Sequence, residues 1–226
     1  MLGNILITGG ASGLGRATAE AVAKAGGRPL VVDVNAPDSG VDHAIADLAD
    51  RAQAERAVGE LAERAGGIDG VFTAAGIDAC GRLSDVAADR WERVIAVNLL
   101  GTASVVRAAL PHLRRSKGRV VTVASTLGLR AVSDATAYCA AKFGVVGFTR
   151  ALAAELAGEV GVTLLVPGGM HTHFFDDRDE QYKPGPDARL NDPEEVAATV
   201  VFALTRPAGC ELRELVVCSS TETSWP

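Results

Sequence analysis

The side chains whose types and spacing most directly suggest chemistry are Tyr138 and Lys142, in the stretch Tyr-Cys-Ala-Ala-Lys. On a helix this spacing places both side chains on one face, one turn apart, although most such pairs are ordinary helix surface. A phenol has a pKa near 10, and a neighbouring ammonium is expected to lower it toward neutral pH. Ser125, upstream, supplies a hydroxyl that could hydrogen-bond the oxygen whose proton moves. Together the three residues suit proton transfer to or from an alcohol or carbonyl oxygen.

A glycine-rich turn at Thr8–Gly15 follows a short apolar run and precedes an Ala-rich segment. This order of strand, turn and helix is the context that dinucleotide binding requires, although the spacing is Gly-x-x-x-Gly-x-Gly. Glycines let the backbone approach a pyrophosphate, and the helix N-terminus offers N–H groups and a positive dipole. The alternative is a glycine-rich turn with a purely structural role.

An acid, Asp33, ends the second predicted strand, where a carboxylate can accept hydrogen bonds from the adenosine ribose. The same carboxylate would repel a 2′-phosphate, and Val34 and Asn35 after it bring no cation. Arg16 is the one candidate cation, but it lies beyond the turn and is more simply a helix-face residue. The sequence therefore predicts NAD as the cofactor, with NADP the less favoured alternative.

Apolar strand candidates alternate with helix candidates along the whole chain, without a repeat. This alternation predicts an α/β fold of the Rossmann type: a doubly wound, seven-stranded, mostly parallel sheet with helices on both faces. The site-bearing turns all follow strand ends, where ligands bind in such sheets. The predicted strands are Ile5–Thr8, Leu30–Asp33, Asp42–Ala46, Gly70–Ala74, Arg119–Ala124, Val162–Val166 and Arg213–Val217. The predicted helices are Arg16–Ala25, Ala49–Ala65, Asp89–Leu113, Ala137–Leu156 and Pro193–Leu204.

These motifs, in this order and spacing, resemble the short-chain dehydrogenase/reductase family over nearly the whole chain. The resemblance implies an oxidoreductase in which Tyr138 is the acid/base, Lys142 lowers its pKa and binds the nicotinamide ribose, Ser125 holds the substrate oxygen and Asn98 positions a water. It implies a homodimer or homotetramer built on two long helices. The cofactor-binding residues it implies are Gly9, Ser12, Gly13, Leu14, Gly15, Asp33, Asp47, Leu48, Ala74, Ala75, Gly76, Tyr138, Lys142, Pro167, Gly168 and Thr172.

Two stretches depart from the family pattern. Thr73-Ala74-Ala75-Gly76 stands where the family usually carries Asn-Asn-Ala-Gly, so the bracing by an Asn pair is missing. Glu214–Pro226 replaces the usual ending, in which a strand leads into Val-Asp-Gly-Gly, and resembles, loosely, the tails of members that act on 3-hydroxy acids. The first departure leaves room for one alternative, a catalytically impaired nucleotide-binding regulatory protein on the same fold. A separate alternative is a nucleotide-sugar epimerase-type enzyme, although such relatives usually carry a larger substrate domain than the lid, one helix and one strand that follow Pro167 here.

The stretch at about 171–190 is interpreted as a substrate lid within a single catalytic domain, residues 1–226. Phe174 and Phe175 are its apolar anchors. His171, His173 and Asp176 lie close together in sequence, but alternate residues on an irregular loop seldom converge, and no metal site is predicted.

Composition narrows the partners. The net charge of −6 argues against nucleic acid or an anionic membrane surface, and a small-molecule carbonyl or alcohol is expected instead. Four scattered cysteines without a Cys-x-x-Cys pair indicate free thiols and a cytoplasmic location. We recognise no signal peptide and no uninterrupted apolar run of membrane-spanning length.

Overall fold

A parallel sheet of seven strands organises the part of the chain that the computed structural model describes, residues 2–37, 40–207 and 209–225. The strands are β1 (Asn4–Thr8), β2 (Arg28–Asp33), β3 (Asp42–Ile45), β4 (Gly70–Thr73), β5 (Arg119–Val123), β6 (Gly161–Pro167) and β7 (Glu214–Val217). They lie in the order β3-β2-β1-β4-β5-β6-β7, and every neighbouring pair is parallel. The predicted Rossmann-type sheet is confirmed, and it is parallel throughout rather than mostly.

Helices cover both faces of the sheet, because alternate residues of each buried strand point to opposite sides. On β1, Leu6 packs into one apolar cluster, whereas Ile5 and Ile7 pack into another. The first cluster is completed by helices α2 (Arg51–Ala65), α4 (Thr102–Ser116) and α5 (Thr136–Glu155). The second is completed by α1 (Gly13–Lys24) and α6 (Pro193–Leu204).

The predicted helix Asp89–Leu113 is wrong as one continuous α-helix. It consists of α3 (Ala88–Ile95), a π-helical segment (Ala96–Gly101) and α4. Gly101 lies against Leu48, and a side chain at that position would meet the Leu48 backbone. Wide π turns are frequent at functional sites, and this one contains Asn98.

The run Ala88–Ser116 is, among the described residues, the one helical stretch long and apolar enough to cross a membrane by length and composition. Half of its most apolar window is buried inside the protein. Val105 and Ala109 of this run are fully enclosed in the core. Core packing therefore accounts for its apolar character.

Between β6 and α6 the chain forms two short 3₁₀ turns, His173–Phe175 and Glu180–Tyr182. These turns lie in the stretch interpreted as the lid. An isolated bridge between Met170 and Asn191 closes the base of this stretch. The segment thus leaves and re-enters the sheet region at neighbouring points.

Candidate active site

A crevice opens at the carboxyl edge of the sheet between β1 and β4, where the chain changes direction. From β1 it winds outward through β2 and β3, and it then returns to place β4 on the other side. The Thr8 hydroxyl accepts a hydrogen bond from the Ala75 amide at 3.1 Å and ties the two strand ends together. Ligands of doubly wound sheets bind at such a switch point.

The glycine turn lines one side of this crevice and needs its glycines. Gly9 has a φ of 70°, in the left-handed region, and its Cα faces the Ala75 backbone. A side chain on Gly15 would collide with the carbonyl oxygen of Gly9. Ser12 is the N-cap of α1, but its side chain does not cap the helix. The N–H groups in the first turn of α1 therefore face the glycine turn. The turn fits a pyrophosphate bound against a helix N-terminus.

The Asp33 carboxylate, at the end of β2, is held by backbone amides. One oxygen accepts from Ala11 N and the other from Asn35 N, each at 3.0 Å. The bond to Ala11 joins the acid to the glycine turn. An acceptor for ribose hydroxyls is thereby fixed beside the turn.

Three elements bring Ser125, Tyr138 and Lys142 together. Ser125 follows β5 and caps a 3₁₀ turn through its bond from Leu127 N. Tyr138 lies in the first turn of α5, and Lys142 lies one turn later. All three side chains are buried. The Lys142 Nζ donates to Val123 O at 2.9 Å and lies 5.6 Å from the centre of the Tyr138 ring.

Burial acts on the pKa values of both titratable groups. It raises the pKa of the Tyr138 phenol above its usual 10, although interaction with Ser125 opposes the rise. It lowers the pKa of Lys142 to about 8, which the Asp78 carboxylate partly offsets. Desolvation is the largest of these influences on the phenol, and the predicted lowering of its pKa by Lys142 stays a prediction. At neutral pH the phenol is protonated and can donate its proton.

Asn98 holds the loop after β4. Its Oδ1 accepts from Ile77 N and its Nδ2 donates to Ile77 O, both at 2.9 Å. Both ends of the amide are thus bonded to one backbone residue. Gly76 is the point where the groups meet, because a Cβ there would lie 3.6 Å from Asn98 Oδ1 and 3.7 Å from Lys142 Nζ.

The departure at Thr73-Ala74 has a structural counterpart. The Thr73 hydroxyl is buried without a hydrogen-bond partner among the described residues. The bracing expected from an Asn pair comes instead from Thr8, through its bond from Ala75 N. Farther along the same edge, Asp47 accepts from Ala49 N and pairs with Arg93 at 3.0 Å, while Leu48 is buried.

The turn after β6 faces the glycine turn. Thr172 begins a 3₁₀ turn and accepts from Phe174 N, and a side chain on Gly13 would touch its methyl group at 3.4 Å. Gly168 donates to Val217 O at 2.9 Å and so holds Pro167–Gly168 against β7. The predicted residues of this turn therefore lie on the same crevice.

The segment after β7 folds back over two site loops, which the sequence did not reveal. Glu222 accepts from Gly169 N at 3.0 Å. The Ser224 and Thr126 hydroxyls are 2.6 Å apart, next to Ser125. We call residues 222–224 the tail brace, because they join the turn after β6 to the loop after β5.

A second unforeseen group lies where the lid meets the site. Phe174 packs against Tyr138 with ring centres 5.7 Å apart, and Phe175 packs edge-on against Phe174. Arg178 lies over both phenylalanine rings and pairs with Asp78 at 2.6 Å. Asp78 lies two residues after Gly76, in the loop that follows β4. This position after a strand end is the feature of the sequence that could have identified Asp78 as a site residue.

Of the residues considered as metal ligands, His173 and Asp176 pair with each other. His173 Nδ1 lies 2.7 Å from the Asp176 carboxylate, and both side chains are largely exposed. Across residues 2–37, 40–207 and 209–225, no group of three or more His, Cys, Asp or Glu side chains is placed to hold a metal ion.

Comparison with known proteins agrees with this geometry. The family model for short chain dehydrogenases matches residues 3–183. Levodione reductase of Leifsonia aquatica is 34% identical, over 90% of this chain and 88% of its own. The 3-ketoacyl-(acyl-carrier-protein) reductase of Brucella melitensis, solved with NADH, superposes with a TM-score of 0.86 at 26% identity, covering 98% of each chain. Actinorhodin polyketide ketoreductase, solved with NADPH, gives 0.86 at 28% identity and the same coverage.

The family match covers most of the chain, and the relatives bear names of dehydrogenases and reductases. The sequence expectation of an oxidoreductase of this family is confirmed. The chain belongs to the short-chain dehydrogenase/reductase family and is a nicotinamide-dependent oxidoreductase that acts on carbonyl and alcohol groups.

Proposed function

We propose that this enzyme transfers a hydride reversibly between NAD(H) and a carbonyl or secondary alcohol carbon of a small molecule, with Tyr138 as its acid/base. The observation that supports this is the convergence of Ser125, Tyr138 and Lys142 on the crevice lined by the glycine turn. A substrate oxygen at Tyr138 would therefore lie beside the cofactor.

In reduction, the Tyr138 hydroxyl gives its proton to the carbonyl oxygen as the carbon receives a hydride. Bound nicotinamide supplies that hydride at C4, or accepts it in oxidation. Ser125 donates a hydrogen bond to the same oxygen and stabilises the charge that develops on it. Its side chain is fixed for this task by the bond from Leu127 N at 3.1 Å. In oxidation the proton moves from the alcohol to the phenolate.

Lys142 and Asn98 support the proton transfer. The Lys142 ammonium stabilises the phenolate and binds the nicotinamide ribose, and its pKa of about 8 keeps it mostly charged at neutral pH. Asn98 positions a water that links Lys142 to solvent, while its amide holds Ile77. This role assigns the π-helical segment a place in the proton path.

The residues along the carboxyl edge of the sheet would hold the cofactor. The glycine turn would bind its pyrophosphate, Asp33 its adenosine ribose, and Asp47 and Leu48 its adenine. Ala74–Gly76 and the turn at Pro167–Thr172 would bind its nicotinamide end. Asp33 selects NAD over NADP because its carboxylate would repel a 2′-phosphate.

The test is a screen of ketones and secondary alcohols with both cofactors, followed by nicotinamide absorbance. Tyr138→Phe removes the transferable proton and should lower kcat more than tenfold, about 1.4 kcal/mol of barrier, with unchanged NADH affinity. Tyr182→Phe is the matched control, since Tyr182 is the only other tyrosine of the chain and is not part of the Ser125–Tyr138–Lys142 group, and it should keep wild-type kcat. A Tyr138→Phe enzyme with more than a tenth of wild-type kcat would refute the acid/base role.

We also propose a homodimer or homotetramer. Leu100 and Phe143 expose 57% and 44% of their surface near and on the long helices α4 and α5. Covering such side chains favours self-association. Light scattering at micromolar concentration should give a multiple of 23.3 kDa. A monomer would contradict the proposal.

The remaining proposals concern organisation and location. The chain acts as a single catalytic domain, with residues 171–190 as its substrate lid. Its cysteines, Cys80, Cys139, Cys210 and Cys218, are all free thiols. Free thiols suit the reducing cytoplasm, which we propose as its location.

A further inference from the structure

The Asp78–Arg178 ion pair lies beside Phe174, which packs against Tyr138, and the pair is largely closed to solvent. Its Nη2–Oδ2 distance is 2.6 Å, and the side chains retain 16% exposure for Arg178 and 6% for Asp78. Asp78 is close enough to the reacting groups to raise the pKa values of both Tyr138 and Lys142. A substrate oxygen at Tyr138 therefore lies within the field of this pair.

The Arg178 guanidinium is engaged on almost every side. It lies over the rings of Phe174 and Phe175, 5.1 and 4.7 Å from their centres, and it donates to Tyr182 O. Its Nε is buried without a partner among the described residues. Because these contacts already occupy the guanidinium, an uncharged substrate can lie beside the pair without disturbing Asp78.

A carboxylate would meet a different situation. To bind Arg178 it must displace Asp78, whose carboxylate would then remain buried without a counter-charge and keep only its bonds from Ala79 N and Cys80 Sγ, which is unfavourable. If Asp78 stays in place, two negative charges face one guanidinium. Lys183, which also lies in the lid segment, forms its own ion pair with Glu180 at 2.7 Å, and this pair neutralises its charge.

We propose that the Asp78–Arg178 pair is a specificity determinant that restricts the enzyme to uncharged carbonyl compounds and alcohols and rejects carboxylates. This inference rests on the proposed function, because it concerns the substrate of the same site. The pair also holds Phe174 against Tyr138, so the wall beside the reacting oxygen is aromatic.

The experiment uses pairs of ketones that differ by one charge: methyl acetoacetate and acetoacetate, methyl levulinate and levulinate, methyl pyruvate and pyruvate. The wild-type enzyme should reduce the ester with at least tenfold higher kcat/KM than the anion. This ratio needs no variant, so it tests the proposal even if a substitution prevents folding.

Asp78→Asn frees the guanidinium while keeping the shape of the side chain. It should shift the ester-to-anion ratio toward the anion by at least tenfold. Asp78→Asn combined with Arg178→Gln should return most of that gain, since the gain requires the guanidinium. Asp85→Asn is the matched control: Asp85 is exposed and lies outside the proposed lid, and its substitution should change the ratio less than twofold.

The outcomes separate the two proposals. A wild-type enzyme that reduces the anions as well as the esters overturns the inference and leaves the proposed function intact. The same holds for an unchanged ratio in folded Asp78→Asn, and for reduction of other carbonyls but none of these esters. Failure to reduce any carbonyl compound with either cofactor would overturn the proposed function itself.

Discussion

Replacing Asp33 by alanine tests the choice of cofactor most directly. Both oxygens of its carboxylate accept backbone N–H groups, from Ala11 and Asn35. The substitution removes the acceptor for the adenosine ribose and the charge that would face a 2′-phosphate. It also leaves Ala11 N without its partner, so the affinity for both cofactors should fall somewhat. The informative quantity is therefore the ratio of the two affinities.

The size of the effect follows from Coulomb's law. Two unit charges about 6 Å apart interact by about 3 kcal/mol at an effective dielectric constant of about 20. Asp33 is only partly buried, and salt reduces the repulsion, which leaves about 1–3 kcal/mol. The wild-type enzyme should thus favour NADH over NADPH by about ten- to a hundredfold in affinity.

The assay is nicotinamide fluorescence titration with NADH and NADPH, combined with kcat/KM for each. In Asp33→Ala the preference should narrow toward unity, mainly through weaker NADH binding. Asp42→Ala is a suitable control, because Asp42 begins β3 at the opposite end of the strands and pairs with Arg28 and Arg64. A wild-type preference for NADPH would refute both the cofactor assignment and the role of Asp33.

Two further substitutions test Lys142 and the glycine turn. Burial lowers the pKa of Lys142 from its usual 10.5 to about 8, so burying the charged side chain destabilises the fold fully below pH 8 and progressively less up to pH 10.5. Lys142→Met should lose turnover and NADH affinity. Measured by urea unfolding, its stability relative to wild type should be about 1–3 kcal/mol higher at pH 7 than at pH 10.5, because the variant lacks the buried charge. A pH-independent difference in stability would contradict the shifted pKa. Gly15→Ala should weaken NADH binding at least tenfold and lower the Tm, because the added Cβ meets the Gly9 carbonyl. Gly59→Ala is the control. The added methyl group there has open space on α2 and should increase the stability by about 0.5–1 kcal/mol. Wild-type NADH affinity in Gly15→Ala would show that the turn tolerates the side chain.

The sequence predicted what local patterns encode. Apolar runs alternating with helical segments specify a parallel sheet, and their order places Gly9, Asp33 and Ser125 just after strand ends. These positions required no knowledge of side-chain packing. The π-helical segment was missed because Ala96–Gly101 is mostly apolar, and such a composition continues a helix as readily as it widens one.

Contacts between residues far apart in the chain could not be predicted from the sequence. Asp78 and Arg178 are 100 positions apart, and their pairing depends on where the lid folds. The direction of the Tyr138 pKa shift depends on total burial, which is the sum of many packing contacts. The sequence identified the neighbouring ammonium correctly, but it could not show that the Nζ is bonded to Val123 O.

The tail brace has a practical consequence for making the protein. Glu222 and Ser224 hold two loops of the reaction centre through hydrogen bonds. A purification tag fused after residue 225 would disturb these bonds and hence both loops. The other end of the chain enters the sheet at Asn4, at the amino edge of β1 and away from the crevice. A fusion partner is therefore better placed on the N-terminal side. A loss of yield or turnover with a C-terminal tag should not be interpreted as evidence of an inactive enzyme.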